Sequence, residues 1–180
     1  MDRRNFIDAA ALERKPFRFD AELRPVLFDL SARWTVAEPV RAVGAASLLD
    51  RNGLRAIRVQ GRIRACLDHA CDRCLNDLRR EFNADFDLFF CPMETVGGGG
   101  EAAIGRGEAE VGFYEGDGIG LVDVVSEQIL LWLPVRSLCS PDCKGLCPAC
   151  GSNRNRVACR CRNSFDDPRW DALRQLSLNR

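Results

Sequence analysis

Ten cysteines in 180 residues constrain this chain more than any other feature. No apolar stretch near the start resembles a signal peptide, and none reaches the roughly 18 apolar residues that a membrane span needs. We therefore expect a cytoplasmic protein with no membrane partner. Disulfides are rarely stable in that compartment, where clustered thiols are more often metal ligands. Eight of the cysteines form four close pairs: Cys71 and Cys74, Cys139 and Cys143, Cys147 and Cys150, Cys159 and Cys161.

The last two pairs, Cys147 with Cys150 and Cys159 with Cys161, form the strongest candidate site. A structural zinc ion takes four thiolate or imidazole ligands in a tetrahedron, and a Cys-x-x-Cys turn places two sulfurs on one ion. Gly151 suits the position after the second cysteine, where the backbone often takes a positive φ. The Cys-x-Cys pair returns after a short loop, residues 151–158. The spacing therefore predicts a compact zinc knuckle.

The remaining pairs allow a second site, so that the chain would hold one or two zinc ions. If Cys71 and Cys74 share an ion with Cys139 and Cys143, they join the C-terminal segment to the part of the chain before it. Two alternatives stay open at this point. The six C-terminal cysteines could be partitioned differently, or Cys71 and Cys74 could be a free redox pair.

The sequence offers little material for catalysis. Its single histidine, His69, lies two residues before Cys71 and is either a metal ligand or an ordinary loop residue. One histidine leaves almost no basis for a Cys-His or Ser-His-Asp arrangement, and no phosphate-binding loop or dinucleotide fingerprint is present. We predict a protein that is not an enzyme and has no small-molecule substrate. Cys66 and Cys91 stand outside the pairs and are expected to be small buried side chains.

Alternating apolar and polar residues predict a β-rich domain over residues 1–93. The clearest strand begins at Leu54, and Asn52-Gly53 before it predicts a two-residue hairpin turn. A second strand over residues 78–90 pairs with the first, so that Cys71 and Cys74 lie in the hairpin connection. The fold class is therefore α+β, with an N-terminal part that is a small antiparallel sheet or barrel.

Three segments follow the β-rich part. Residues 94–118 contain four consecutive glycines and cannot bury enough apolar area to offset their chain entropy, so we predict a mobile loop. Residues 119–136 carry apolar side chains at helical spacing and reach Pro134, which predicts a helix packed on the β part. Residues 137–180 hold the metal knuckle and a terminal helix that begins near Asp167-Pro168.

Charge is unevenly distributed along a chain of zero net charge. Residues 81–127 carry 1 basic and 11 acidic side chains, whereas residues 128–180 carry 9 basic and 4 acidic ones. Arginine binds phosphate bidentately, so basic residues in or beside the knuckle are candidate RNA-binding residues. Arginines of the clearest strand could extend this basic surface. The other interpretation is that these residues form an ordinary solvated surface. The candidates are Lys144, Arg154, Arg156, Arg160 and Arg162.

Several motifs around the cysteines have a known counterpart. They are Val59-Gln60-Gly61 before Cys71-Asp72-Arg73-Cys74-Leu75, Leu131-Trp132-Leu133-Pro134, the run LCSPDCKGLCPACGSNRN, the Cys-x-Cys pair and Asp167-Pro168-Arg169. Over roughly residues 16–176 the chain resembles the YceD family of bacterial and plastid proteins, described as large ribosomal RNA subunit accumulation proteins. The long glycine run is a departure from the family pattern.

The resemblance implies a non-enzymatic factor that supports large-subunit ribosomal RNA accumulation and ribosome assembly. Its partner would be ribosomal RNA or a pre-ribosomal particle, or a ribosomal protein. An alternative stays open, because the acidic middle segment is a poor surface for RNA. The chain would then be a zinc-stabilised protein-interaction module that does not contact RNA directly.

Overall fold

Long β-strands are the main secondary structure of the computed structural model, which describes residues 5–30, 33–51, 54–93, 111–161 and 169. The chain divides into two units. The sheet unit comprises Met1–Ala70 and Asp77–Arg136, and the cysteine unit comprises Cys71–Asn76 and Ser137–Arg180. The connection that carries Cys71 and Cys74 therefore belongs to the cysteine unit, although it joins two strands of the sheet unit.

The described part of the sheet unit contains eight strands, two short α-helices and a 3₁₀ turn. The strands are β1 Phe6–Asp8, β2 Phe17–Leu23, β3 Trp34–Val36, β4 Val40–Arg51, β5 Leu54–Ala70, β6 Asp77–Pro92, β7 Val111–Tyr114 and β8 Gly118–Gly120. The helices are α1 Ala9–Leu12 and α2 Leu121–Trp132, and the 3₁₀ turn is Pro25–Leu27.

Six of these strands form one sheet in the order β2-β4-β5-β6-β7, and β3 pairs with β5 beyond the end of β4. β1 and β8 form a separate antiparallel pair. Neighbours in the large sheet are antiparallel except β6 and β7, which run parallel. Within the described ranges β2 and β7 are the edges of an open sheet. The predicted α+β class is confirmed. The β-rich part was predicted to be a small antiparallel sheet or a barrel, and the described strands form an open sheet.

Strand β5 shows why the sheet forms. Alternate side chains point to opposite faces of a strand, so Ile57, Val59 and Ile63 are fully buried in the core. The arginines between them lie on the other face, where they meet carboxylates of β6. Arg62 pairs with Asp85, its direct cross-strand neighbour, and Arg58 pairs with Asp87.

A row of four residues across the sheet combines two glycines with two phenylalanines. Gly44 on β4 faces Gly61 on β5, and Phe19 and Phe86 are their outer neighbours. A Cβ at Gly44 would lie 2.7 Å from the Phe19 ring and closer still to the Gln60 carbonyl oxygen. One at Gly61 would lie 3.1 Å from the Phe86 ring. The glycines therefore leave space that the rings occupy.

Helix α2 begins after Gly120 and ends at Trp132, two residues before Pro134. Leu121, Val124, Val125 and Ile129 are buried in the same core cluster as the strands. The predicted helix thus lies inside the predicted range 119–136 and packs on the β part. None of the helices in the described ranges is long and apolar enough to cross a membrane.

The predicted loop over residues 94–118 is wrong in its C-terminal part, because β7 occupies Val111–Tyr114 and β8 begins at Gly118. These strands are short and glycine-rich, and they form by pairing with β6 and β1 rather than from their own propensity. Residues 94–110, the Asn52-Gly53 turn and the start of the terminal helix lie outside the described residues. Cys66 and Cys91 are buried, as predicted.

Candidate metal centres

The eight paired cysteines come together as two groups of four within the described residues. We call them the Cys71 quartet and the Cys147 quartet. In each group, the four sulfur atoms lie within 4.8 Å of one another. The membership is the one that the sequence suggested for the first and the possible second site. The Cys71 quartet is Cys71, Cys74, Cys139 and Cys143, and the Cys147 quartet is Cys147, Cys150, Cys159 and Cys161.

The sulfur separations fit a shared metal ion. In the Cys71 quartet, Sγ of Cys71 and Cys143 are 3.8 Å apart, and those of Cys74 and Cys139 are 3.6 Å apart. Cys159 Sγ lies 3.6 Å from Cys150 Sγ and 3.3 Å from Cys147 Sγ. Four sulfurs about 2.3 Å from one zinc ion in a tetrahedron would be about 3.8 Å apart. All ten cysteines are free thiols, and a four-sulfur tetrahedron suits zinc or iron.

The same tight turn holds the first two ligands of each quartet. The backbone N–H of Leu75 donates to the Cys71 carbonyl at 3.0 Å, and that of Gly151 donates to the Cys147 carbonyl at 2.8 Å. The residue after the second cysteine is left-handed in both turns, with φ of 57° at Leu75 and 72° at Gly151. The expected positive φ at Gly151 is confirmed.

Polar groups aimed at the sulfurs favour thiolates, which are the metal-binding form. Burial raises the pKa of Cys71, but the backbone N–H groups of Arg73, Cys74 and Cys139 outweigh it and lower that pKa to about 6. The Cys139 N–H lies 3.4 Å from Cys71 Sγ. In the other quartet, the hydroxyl and backbone N–H of Ser152 lower the pKa of Cys150 to about 6.

In each quartet, the pKa of one thiol is shifted in the opposite direction, above its usual value. Hydrogen bonds with Cys143 and Cys74 raise the pKa of Cys139 to about 12. Those with Cys159 and Cys150 raise the pKa of Cys161 to about 12. A raised pKa favours the protonated form of these two thiols, because neighbouring thiolates repel one another. Metal binding must release that proton, and metal affinity should therefore fall in acid.

The interior of the cysteine unit consists mainly of sulfur. Among its described residues, the buried ones include no aliphatic or aromatic side chain. They are Cys71, Cys74, Ser137, Cys143, Gly145 and Cys147. The Cys71 quartet is the more enclosed of the two, since only Cys139 among its members is exposed, whereas Cys150 and Cys161 are both exposed in the other quartet.

Hydrogen bonds join the two chain segments of the cysteine unit. Asp72 exchanges two of them with Ser137: the Ser137 N–H donates to the Asp72 carboxylate at 2.6 Å, and the Asp72 N–H donates to the Ser137 carbonyl at 2.9 Å. The Arg73 guanidinium donates to the Cys143 carbonyl at 2.8 Å. Sequence reasoning missed these two residues as positioning groups, and their place inside a Cys-x-x-Cys motif was the only available signal.

The predicted RNA-binding residues Lys144, Arg154, Arg156 and Arg160 are exposed, and within the described ranges none of them forms an ion pair. A β-bridge between Leu146 and Asn153 places residue 144 beside residues 154–156. Arg162 lies outside the described residues. We call Lys144, Arg154, Arg156 and Arg160 the cationic group.

Three of the four arginines of β5 pair with carboxylates of the sheet unit. The Arg58 and Arg62 guanidiniums are each bound through two nitrogens to one carboxylate, Asp87 and Asp85 respectively. Arg55 pairs with Glu13. Their positive charge is largely neutralised within the sheet unit, and the extension of the RNA-binding surface onto β5 stays a prediction.

His69 is a strand residue and belongs to neither quartet. It lies near the end of β5 and stacks on Trp34, with ring centroids 3.9 Å apart. The prediction that it could be a metal ligand finds no support in the described residues, because its ring packs against Trp34 and not against a cysteine quartet. The loop position expected for it is also wrong, since β5 continues to Ala70.

Comparison with known proteins identifies the family. The family model "Large ribosomal RNA subunit accumulation protein YceD" matches residues 59–177, a span that includes both quartets. The chain belongs to the YceD family. YceD membership links it to the accumulation of large-subunit ribosomal RNA.

Among curated relatives are uncharacterised proteins of Mycobacterium bovis and of two strains of Mycobacterium tuberculosis. Each is 29% identical to this YceD chain in an alignment 182 positions long, which covers 94% of this chain and 80% of the relative. No solved structure matches the chain significantly.

Proposed function

We propose that this YceD chain is a non-enzymatic cytoplasmic factor that supports large-subunit ribosomal RNA accumulation and ribosome assembly. It holds two structural zinc ions, one in each cysteine quartet. One observation carries the metal part of the proposal: the buried residues of the described cysteine unit are four cysteines, a serine and a glycine, with no aliphatic or aromatic side chain among them. Family membership carries the link to ribosomal RNA.

A unit without an apolar core needs another source of stability. Small segments below about 40 residues rarely fold alone without metals or disulfides. Binding of structural zinc contributes roughly 10–16 kcal/mol of apparent free energy in small peptides. A cation in the Cys71 quartet would cross-link residues 71–76 with residues 139–143, and one in the Cys147 quartet would close residues 147–161. The hydrogen bonds of Asp72 and Arg73 then fix how residues 71–76 meet the C-terminal segment.

The cationic group supplies the surface for RNA. Its members are exposed and lack carboxylate partners in the described ranges, so they keep their full charge for phosphate. Residues 71–76 and 137–161 contain no aromatic side chain on which a base could stack, whereas guanidiniums bind phosphate through two nitrogens. We therefore infer that contact is made with the phosphate backbone. The non-enzymatic part rests on the single histidine, which stacks on Trp34 near the end of β5.

The test is a salt titration of binding between the zinc-loaded chain and a large-subunit ribosomal RNA fragment. Each phosphate contact contributes about −0.9 to the slope of log affinity against log salt on a duplex, so four contacts predict a slope of roughly −3.6. Replacing Lys144, Arg154 and Arg156 together by glutamine should flatten the slope by about 3. An affinity that stays constant across the titration would contradict the proposal.

A matched control removes the same charge from the sheet unit. The variant Arg58→Gln, Arg62→Gln and Arg79→Gln removes three guanidiniums that already pair with Asp87, Asp85 and Asp68. It should leave the salt slope unchanged. If the salt slope flattened equally in both variants, RNA binding would depend on net charge rather than on the cationic group.

One observation favours the alternative of a protein-interaction module. Leu131 in the last turn of α2 and Val135 just after the helix are 70% and 97% exposed, and large exposed apolar side chains are typical of interaction surfaces. Partners captured from a lysate distinguish the two functions. Partners lost after nuclease treatment support the RNA proposal, and partners that survive it support the alternative.

A further inference from the structure

The loop between the two halves of the Cys147 quartet makes a direct contact with the other quartet. This loop, residues 151–158, begins after Cys150 and ends before Cys159. Within it, the side-chain amide nitrogen of Asn155 donates to the Cys143 sulfur at 3.3 Å. Cys143 is a member of the Cys71 quartet. A residue that is tethered on both sides by ligands of one site therefore supplies a hydrogen bond to a ligand of the other.

Every polar group of the Asn155 amide has a partner, so its orientation is fixed. Its oxygen accepts the backbone N–H of Lys144 at 2.8 Å, next to Cys143. Its nitrogen also donates to the Asn153 side-chain oxygen at 2.9 Å. Asn153 in turn donates to the side-chain oxygen of Asn76 at 3.2 Å. A chain of amides thus runs from the loop to the Cys71–Asn76 segment.

Hydrogen-bond donors on ligating sulfurs orient the ligand and stabilise its negative charge, and such partners matter nearly as much as the ligands. The Asn155 donor can act only while the loop holds its position. The two ends of that loop are held together when Cys150 and Cys159, whose sulfurs lie 3.6 Å apart, bind the same ion. An ion bound at the Cys147 quartet would therefore hold in place the Asn155 hydrogen-bond donor to the Cys71 quartet.

We propose that Asn155 couples the two metal sites, so that metal bound at the Cys147 quartet strengthens metal binding at the Cys71 quartet. This inference rests on the proposed function, because it requires that both quartets bind metal. The coupling is reciprocal by thermodynamic necessity: if an ion at one site raises the affinity of the other, the reverse holds by the same factor. Asn155 is a positioning residue and not a ligand.

The test uses the full chain and a metal-release assay. Cobalt(II) is loaded in place of zinc, because its absorption spectrum reports tetrahedral thiolate coordination and so counts occupied sites. Cys150→Ser with Cys161→Ser removes the Cys147 quartet and leaves the Cys71 quartet alone. The affinity of this remaining site, measured by competition with a chelator, should fall about tenfold relative to the same site in the unmodified chain.

Asn155→Ala should weaken the Cys71 quartet by a similar factor while both quartets are intact. In the Asn155→Ala background, removal of the Cys147 quartet should then cause no additional loss, because the connection is already broken. The control is Val157→Ala, a change in the same loop at a side chain that is 57% exposed. It should leave both affinities unchanged.

The outcomes separate this inference from the proposed function. Two sites whose affinities are independent of each other and of Asn155 would overturn the coupling and leave the zinc proposal intact. A wild-type chain that binds no cobalt would overturn both. Additive losses in the combined variant would also overturn the coupling, because they would show that Asn155 and the Cys147 quartet act separately on the Cys71 quartet.

Discussion

At the scale of single residues, the two Cys-x-x-Cys turns share one backbone conformation but have different residues at its left-handed position. Each needs a left-handed residue after its second cysteine, and this position is glycine in one turn and Leu75 in the other. The sequence predicted the positive φ at Gly151 because glycine adopts it without strain. The sequence could not predict the positive φ at Leu75, because leucine disfavours this conformation and only the turn imposes it.

Exchanging these residue types should change stability in opposite directions. A left-handed non-glycine residue costs roughly 1–2 kcal/mol, so Gly151→Leu should destabilise the cysteine unit by about that amount. A Cβ at Gly151 meets nothing within 4 Å, so the cost is purely conformational. Leu75→Gly relieves this strain, but glycine also adds chain entropy to the unfolded state, so the net stabilisation should be at most about 1 kcal/mol. Chemical denaturation of the metal-loaded variants measures both effects, and a Gly151→Leu variant as stable as the wild type would refute this account.

At the scale of elements, the alternating pattern of β5 predicted a strand with a buried apolar face, which the structure confirms. What the pattern could not show is the partner of each arginine. Arg58 and Arg62 are neutralised by Asp87 and Asp85, which lie more than 20 residues away in sequence. Pairing depends on cross-strand register, which periodicity does not fix. The short strands β7 and β8 were missed because they depend on their pairing partners.

The row Phe19–Gly44–Gly61–Phe86 gives a prediction at this scale. Gly44→Ala should destabilise the sheet unit by about 1–3 kcal/mol, because the added methyl group would overlap the Gln60 carbonyl and the Phe19 ring. Thermal unfolding of the sheet unit, followed by the circular dichroism of its strands, measures the loss. The matched control is Ala45→Ser, one residue further along β4 and on the opposite face. An equal loss in both variants would mean that the space above Gly44 is not the cause.

At the scale of the whole molecule, the two units have different sources of stability. The sheet unit buries aliphatic and aromatic side chains from its strands and α2. The described cysteine unit buries cysteines, a serine and a glycine instead. The sequence predicted the Cys147 quartet from its ligand spacing and offered the Cys71 quartet as a possible second site, with a different partition and a free redox pair left open. The asparagine links between them could not be predicted, since a polar loop residue gives no sign of which sulfur it will meet.

The central claim is that sulfur bound to metal replaces an apolar core in the cysteine unit. The measurement that tests it most directly is native mass spectrometry of the full chain, purified under reducing conditions, combined with elemental analysis and hydrogen exchange. The account predicts two zinc ions per chain. It also predicts that a chelator removes amide protection from residues 137–161 while β4, β5 and β6 stay protected. A metal-free chain in which residues 137–161 keep their protection would contradict it.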